Sequence, residues 1–393
     1  MKAQIALGSI CLVSWFLFAA QSQGKSGGRV IFVDDDGADC HGAQFSSIQA
    51  AIDQASLGDT IRVCNGVYNE TLSISKSIEV VADSGAFLVP NAVPQNSESL
   101  SSGAPIAAAV YVSSAKDVGL FGLSIDGRNS AITGCAPDLV GVYFQNASGH
   151  AAHLTIRNFR LGSGLAGCQS GTGILVQSGN GGTSTVEIED CVLHDFQKNG
   201  ITANEVGTTV LIHDNTVNGL GPTTGAAQNG IQIGFGAQGA IVHNTISSSL
   251  WSPCVTDNCS SVGTGILIDD SDHIVTERNR ISHAQVGIFV VGNQAALDSN
   301  RVSDSQVFDG IRIVGDRNSA KCNQVDSSGE AGLFLQGSDN QIEDNTVTES
   351  PIGIMQTPGS SKNRIATNKF FATTITIQDP ITIDLQRSVS PDR

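Results

Sequence analysis

The sequence predicts an all-β fold, a single solenoid of short strands stacked coil upon coil, and two observations predict it. From Gly265 a four-residue phrase recurs as Gly265-Ile266-Leu267-Ile268, Gly287-Ile288-Phe289-Val290, Gly310-Ile311-Arg312-Ile313, Gly332-Leu333-Phe334-Leu335 and Gly353-Ile354-Met355-Gln356. The glycines lie 22, 23, 22 and 21 residues apart. Each unit also carries an Asn with an apolar residue two places on: Asn279/Ile281, Asn300/Val302, Asn323/Val325, Asn345/Val347 and Asn368/Phe370. A fixed period with two short alternating runs per unit is the signature of stacked coils, and Gly, Asn, Asp and Ser interrupt the runs too often for helical repeats. Gly is expected to open tight corners, and Asn to serve left-handed bends or stack its amides coil on coil.

These repeats resemble the right-handed parallel β-helix family, the pectin-lyase-like architecture of pectate lyases, polygalacturonases and many uncharacterised secreted bacterial proteins. The resemblance spans residues 30–385 and implies roughly 11 coils with an N-terminal capping helix. A solenoid grows by adding coils, so 393 residues need no division and residues 21–393 read as one domain. The 44 Gly, 5% aromatic and 15% charged residues fit tight corners around a narrow aliphatic core. A net charge of −16 excludes nucleic acid as a partner. It also means that a polyanionic glycan would need a local basic groove or bound cations.

Along the chain, Met1-Lys2 and the apolar run to Ala20 read as a signal peptide, residues 1–20, which places the mature chain in the secreted or periplasmic space as a monomer without a membrane span. Residues 30–36 read as a strand and acidic turn. Residues 44–56 read as a helix with Ser46 and Gln49 at capping-box spacing, lying over the open end of the first coil. The following Leu57-Gly58-Asp59-Thr60-Ile61 and Asn65-Gly66-Val67-Tyr68 resemble the first coil of chondroitinase-like lyases and pectin methylesterases. Residues 86–105 read as a loop insertion, and regular coils are expected over 141–372. Their early units are longer, with the extra length falling at 162–172, 218–229 and 247–264, before the next unit's Gly. Residues 373–385 alternate and include Pro380, as suits a closing edge strand.

Without Cys11, eight cysteines remain for an oxidising compartment. Cys40 and Cys64 flank the helix, Cys135 and Cys168 occupy matching places before Gly141 and Gly173, and Cys254 and Cys259 can clip one loop. Coils rise about 4.8 Å, within disulfide reach, whereas Cys191 and Cys322 are five units apart and are expected to be reduced and buried.

If the Ile after each Gly points inward, the next residue points out. That row reads Tyr143, Leu175, Thr202, Gln232, Leu267, Phe289, Arg312, Phe334 and Met355. It marks either a sugar-binding surface, with Tyr143, Gln232, Phe289, Phe334 and the overhanging Trp251 as contacts, or a surface that another segment covers. For hydrolysis, Asp269, Asp270, Asp309 and Arg312 are the candidate catalytic residues. Asp269-Asp270 with Arg312-Ile313 resembles a polygalacturonase pattern, although Val314 stands where its Lys belongs. For elimination from a uronate, Asp269, Asp270 and Asp272 offer oxygen ligands to Ca2+ beside Arg278, Arg280 or Arg312. His194-Asp195 and His213-Asp214 read as surface pairs. The expected function is binding, with possible cleavage, of a polysaccharide by a lyase or glycoside hydrolase. The alternative is a non-catalytic β-helix that binds glycan or protein.

Overall fold

The structure, a computed structural model, describes residues 28–254, 259 and 261–378. Three parallel sheets of 13, 12 and 13 strands run the length of the molecule, here called sheets A, B and C. The chain visits them in turn, so each coil pairs with the next in all three, and there are one or two coils more than the sequence implied. Sheet C holds the Gly-Ile-x-Ile strands: Gly265-Ile266-Leu267 align with Gly287-Ile288-Phe289, and Phe289 aligns with Arg312 and that with Phe334. The aliphatic side chains facing inward form one continuous core from Ile31 to Ile354.

The repeated Gly is needed for close approach and not, as expected, for a corner. Gly265, Gly287, Gly310, Gly332 and Gly353 have no left-handed backbone, but a Cβ at Gly310 would stand 2.2 Å from Val325 Cγ1 and 2.9 Å from the Gly332 carbonyl oxygen. The left-handed bends fall instead on the residue before each repeated Asn: Asp214, His243, Arg278, Ser299, Cys322, Asp344 and Thr367 have φ from 55° to 59°. This frees the Asn side chains to turn inward. Asn215, Asn244, Asn279, Asn300, Asn323, Asn345 and Asn368 form a ladder in which each Nδ2 donates to the next Oδ1 at 2.9–3.0 Å. Each Oδ1 also accepts the preceding rung's backbone N–H, so the ladder satisfies polar groups that burial would otherwise orphan. Cys191 sits at the head of this column, buried and free, its backbone N–H on Asn215 Oδ1.

The helix spans Ile48–Gln54 and starts at Ser47, not Ser46, because Phe45 bridges to Val33 as extended chain. Its cap is completed from a neighbouring coil: Glu70 accepts from the backbone of Ile48 and Gln49 and from the Ser47 hydroxyl. Ile48, Ala51 and Ile52 seal the first coil's core. The stretch 86–105 is not all loop, since Ala86–Leu88 joins sheet B and Ser97–Glu98 runs antiparallel against the first long strand of sheet C. At the other end Ile375–Gln378 closes sheet C on Ile352–Gln356. The proposed signal peptide, Pro380 and the rest of the expected closing strand lie outside the described residues. Among the described residues no helix is long and apolar enough to cross a membrane.

The three expected disulfides are present, Cys40–Cys64, Cys135–Cys168 and Cys254–Cys259, with the second pair's Cα atoms 5.0 Å apart across adjacent coils. Cys191 is buried and free, as expected, whereas Cys322 departs from expectation in burial, lying half-buried at a left-handed bend.

Candidate functional site

The three insertions all connect a strand of sheet B to the next strand of sheet C, so they rise along one edge of sheet C's outer face. A repeated glutamine holds each in place. Gln197 accepts from Leu161 N and donates to the Cys168 carbonyl, both at 2.9 Å. Gln228 accepts from Leu220 N at 3.1 Å and donates to the Phe196 carbonyl at 2.8 Å. Gln285 accepts from Trp251 and Gly263 and donates to the carbonyls of Trp251 and Cys254. The opposite wall is the 97–104 loop, pinned by Gln177 to Leu100 N, Ser99 Oγ and Ser101 Oγ.

Between these walls the outward row behaves in two ways. From Leu267 to Met355 it is sealed. Leu267 and Phe289 pack with Val262, Val286, Phe308, Cys254 and Trp251, which therefore plugs its own loop. Phe334 and Met355 pack with Ala331 and Ile352. Arg312 lies buried among these rings, its guanidinium carbon 4.1 Å from the Phe334 centroid and 5.4 Å from that of Phe308. Its Nε donates to Asp309 Oδ2 at 2.7 Å, and Asp309 Oδ1 accepts from Ala331 N. A guanidinium so enclosed by carboxylate and aromatic faces is a packing element.

The structure places the two pairs of expected catalytic residues, Asp269-Asp270 and Asp309 with Arg312, apart from one another. Asp309 and Arg312 are buried in their own ion pair, and Asp269 is buried at the far end of its strand. Asp269 aligns through Val291 with Val314, five positions beyond Asp309 and two coils below it. That is roughly 16 Å along the strand alone, too far for a carboxylate pair. Asp270 is exposed with φ 53°, a bend former. Asp272 Oδ1 is taken by the backbone and amide of Asn293. Among the expected sugar contacts, Phe289 and Phe334 are covered, and Tyr143 lies under the 97–104 loop with its hydroxyl on Gln177.

Over the coils between residues 138 and 235 the row itself is no more exposed at Thr202 and Gln232, each 4% exposed against 7% for Phe334, but the flanking loops leave space beside it. There a cleft of about 350 Å³ is bordered by Ser99, Ser101 and Ser102 on one side and Gln169 and Ser170 on another. Its floor combines the amides and hydroxyls of Gln177, Asn199, Thr202, Asn204 and Gln232 with the aliphatic side chains of Ile106, Val140 and Leu175. Of the four catalytic and five sugar-contact residues expected from sequence, Gln232 alone lines it, joined there by Leu175 and Thr202 of the outward row. Asn199 Nδ2 donates to Thr202 Oγ1 at 2.8 Å and to Gln232 Oε1 at 3.0 Å, while Gln232 Nε2 reaches Asn204 Oδ1 at 3.2 Å. One end carries Asp138 and Lys198; burial pushes the Asp138 carboxyl up to about 6. The other end carries Glu205 and Phe235. The polar switch at Thr202 and Gln232 was visible in the outward row, but Asp138 and Lys198 precede their strands' regular phrase and carried no signal.

A second depression, about 590 Å³, lies at the turn into sheet B and is lined by His243, Arg278, Arg280, Arg301 and Gln324. Arg280 and Arg301 stand side by side in register, both exposed, and form no ion pair among the described residues.

The three sheets and their coil-to-coil pairing make the fold a right-handed parallel β-helix. Residues 251–383 match a family described as "Periplasmic copper-binding protein (NosD)". Comparison with curated proteins finds no match. Among solved structures, the chain is similar to the GH136 lacto-N-biosidase from Eubacterium ramulus, with 13% identity, a TM-score of 0.55, and 88% of this chain and 68% of that one covered. It is also similar to a mannuronic acid specific polysaccharide family 6 lyase from human gut microbiota, with 11% identity, a TM-score of 0.53, and 87% and 82% covered. The Azotobacter vinelandii mannuronan C-5 epimerase AlgE4 A-module gives 14% identity, a TM-score of 0.50, and 91% and 100% covered. At such identities the likeness is one of fold.

Proposed function

We propose that the chain binds a polysaccharide in the amide-lined cleft on the outer face of sheet C, between the 97–104 loop and the 162–171 insertion. The observation that carries this reading is the change of character along one row. The row that reads Leu267, Phe289, Arg312 and Phe334 in the sealed half reads Leu175, Thr202 and Gln232 here, beside the buried amides of Gln177 and Asn199. Buried amides and hydroxyls with no apolar cover suit a ligand that brings its own donors and acceptors, as sugar hydroxyls do. Three of the similar folds cited above carry names that state action on glycans, which supports the same class of ligand. The disulfides and the periplasmic description of the matched family support a secreted or periplasmic setting.

Hydrolysis by a carboxylate pair does not fit the cleft, because Asp138 precedes its strand's regular positions and Glu205 follows them at the opposite end, far beyond a 9.5 Å pair. Elimination from a uronate is the second reading. Asp138, with its raised pKa, and Lys198, whose Nζ donates to the Ala227 carbonyl, lie two coils apart at one end of the cleft and offer a proton acceptor and a proton donor there. The test is a screen of the purified chain against neutral oligosaccharides, pectate, alginate and glycosaminoglycans, with and without Ca2+. Saturable binding that Asn199→Ala and Gln232→Ala abolish supports the cleft. Unsaturated product absorbing in the ultraviolet, lost in Lys198→Ala, supports elimination, and absence of binding to every glycan refutes both.

A further inference from the structure

On the outer face of sheet A, away from the cleft, three consecutive strands bring two imidazoles and two carboxylates together. His150 lies in Gly149–Ala152, Glu187 and Glu189 in Ser184–Glu189, and His213 in Thr208–His213. Register sets His150 beside Glu187, and Glu189 beside His213. The side chains then cross the ladder diagonally: His213 Nε2 lies 3.1 Å from Glu187 Oε1 and 3.4 Å from Glu189 Oε2, while His150 Nε2 lies 2.8 Å from Glu189 Oε1. One ligand atom each from Glu187, Glu189 and His213 falls within 4.8 Å of the others. All four side chains are partly open to solvent, so an ion has access.

We propose that Glu187, Glu189 and His213, with His150 holding Glu189 from the adjacent coil, bind a divalent transition-metal ion of the zinc or copper kind. The first support is distance. Two ligands bonded at about 2.0 Å to a tetrahedral ion stand about 3.3 Å apart, and His213 Nε2 has that separation from both carboxylates without any movement of the backbone. The second is orientation. His213 Nδ1 is held by Asp214 Oδ2 at 2.8 Å, the carboxylate–histidine arrangement that presents Nε2 to a metal. The ring of Phe121 meets that of His150 edge-on, with centroids 5.2 Å apart, and fixes its plane. The third is donor chemistry: mixed imidazole nitrogen and carboxylate oxygen suits zinc or copper and disfavours calcium and magnesium, which prefer oxygen alone. The cluster lies outside residues 251–383, so the matched family's description does not assign it.

The test is calorimetric titration of the untagged full chain with Zn2+ and, separately, Cu2+. One equivalent is expected to bind, with affinity reduced at least tenfold in His213→Gln and in Glu189→Gln, and more modestly in Asp214→Asn. Circular dichroism of each variant verifies that the coils are intact. Copper-loaded protein should show a nitrogen coupling in its electron paramagnetic resonance spectrum that disappears in His213→Gln. Absence of saturable binding for both ions overturns the proposal, as does binding that His213→Gln leaves unchanged. Preference for one ion over the other identifies which of the two the site takes.

Discussion

The outer face of sheet C is two surfaces built on one scaffold. From residue 264 on, regular 21–23-residue units carry Leu267, Phe289, Arg312 and Phe334, and the Trp251 loop and Phe308 close over much of that row. Between residues 138 and 235 the same positions carry Tyr143, Leu175, Thr202 and Gln232; the 97–104 loop covers Tyr143, and beside the other three the loops leave a cleft. The coil geometry beneath is the same in both halves. What differs is whether the insertion after sheet B brings apolar side chains to lay over its neighbour, so the site is made by what an insertion leaves uncovered.

Four experiments probe that contrast. The largest effect is expected in the sealed half. Arg312→Ala leaves Asp309 buried without its charged partner and should cost roughly 3–5 kcal/mol in chemical denaturation, with glycan binding unchanged. Next is the Asn ladder, which lies beneath both halves. Asn244→Ala and Asn323→Ala each strip a buried rung from its neighbours and should cost roughly 2–4 kcal/mol alike, and a large difference between them would show that the halves differ in their core as well. Third, Gln232→Leu gives the open half a residue of the sealed kind. It should weaken glycan binding at least tenfold, about 1.4 kcal/mol, with a smaller loss of stability than the ladder variants, because Asn199, Asn229 and Asn204 lose its amide as a partner.

The smallest effect is a pH dependence at Asp138. Its folded pKa, about 6, lies above the ordinary 3.8, so ionising it costs stability once the pH rises above about 4, and the cost is complete above about 6. Asp138→Asn should therefore melt higher than the parent at pH 8. The difference should shrink to nothing below pH 4, and a constant offset across that range would mean that the carboxyl is not desolvated.

Much of this was legible in the sequence. The Gly and Asn periods give the coils, alternation gives the outward row, and matching positions in consecutive units give Cys135–Cys168, because all three depend on local spacing alone. Burial of the row was not legible, since it depends on where a loop lands. Arg312 reads equally as a groove cation or as a buried one until Phe308 and Phe334 are seen around it. Gln197, Gln228 and Gln285 look like ordinary polar residues before a strand, and their role exists only once the insertion folds back to meet them. His213 read as half of a surface pair because Glu187 and Glu189 reach it across a neighbouring coil.

The most direct test of the open cleft as the glycan site is hydroxyl-radical footprinting of the full chain with and without the glycan retained in the screen. Protection confined to residues 99–102, 169–177, 198–205 and 232 is the expected result. Protection over the coils from 267 to 334, or at Arg280 and Arg301 alone, would contradict it.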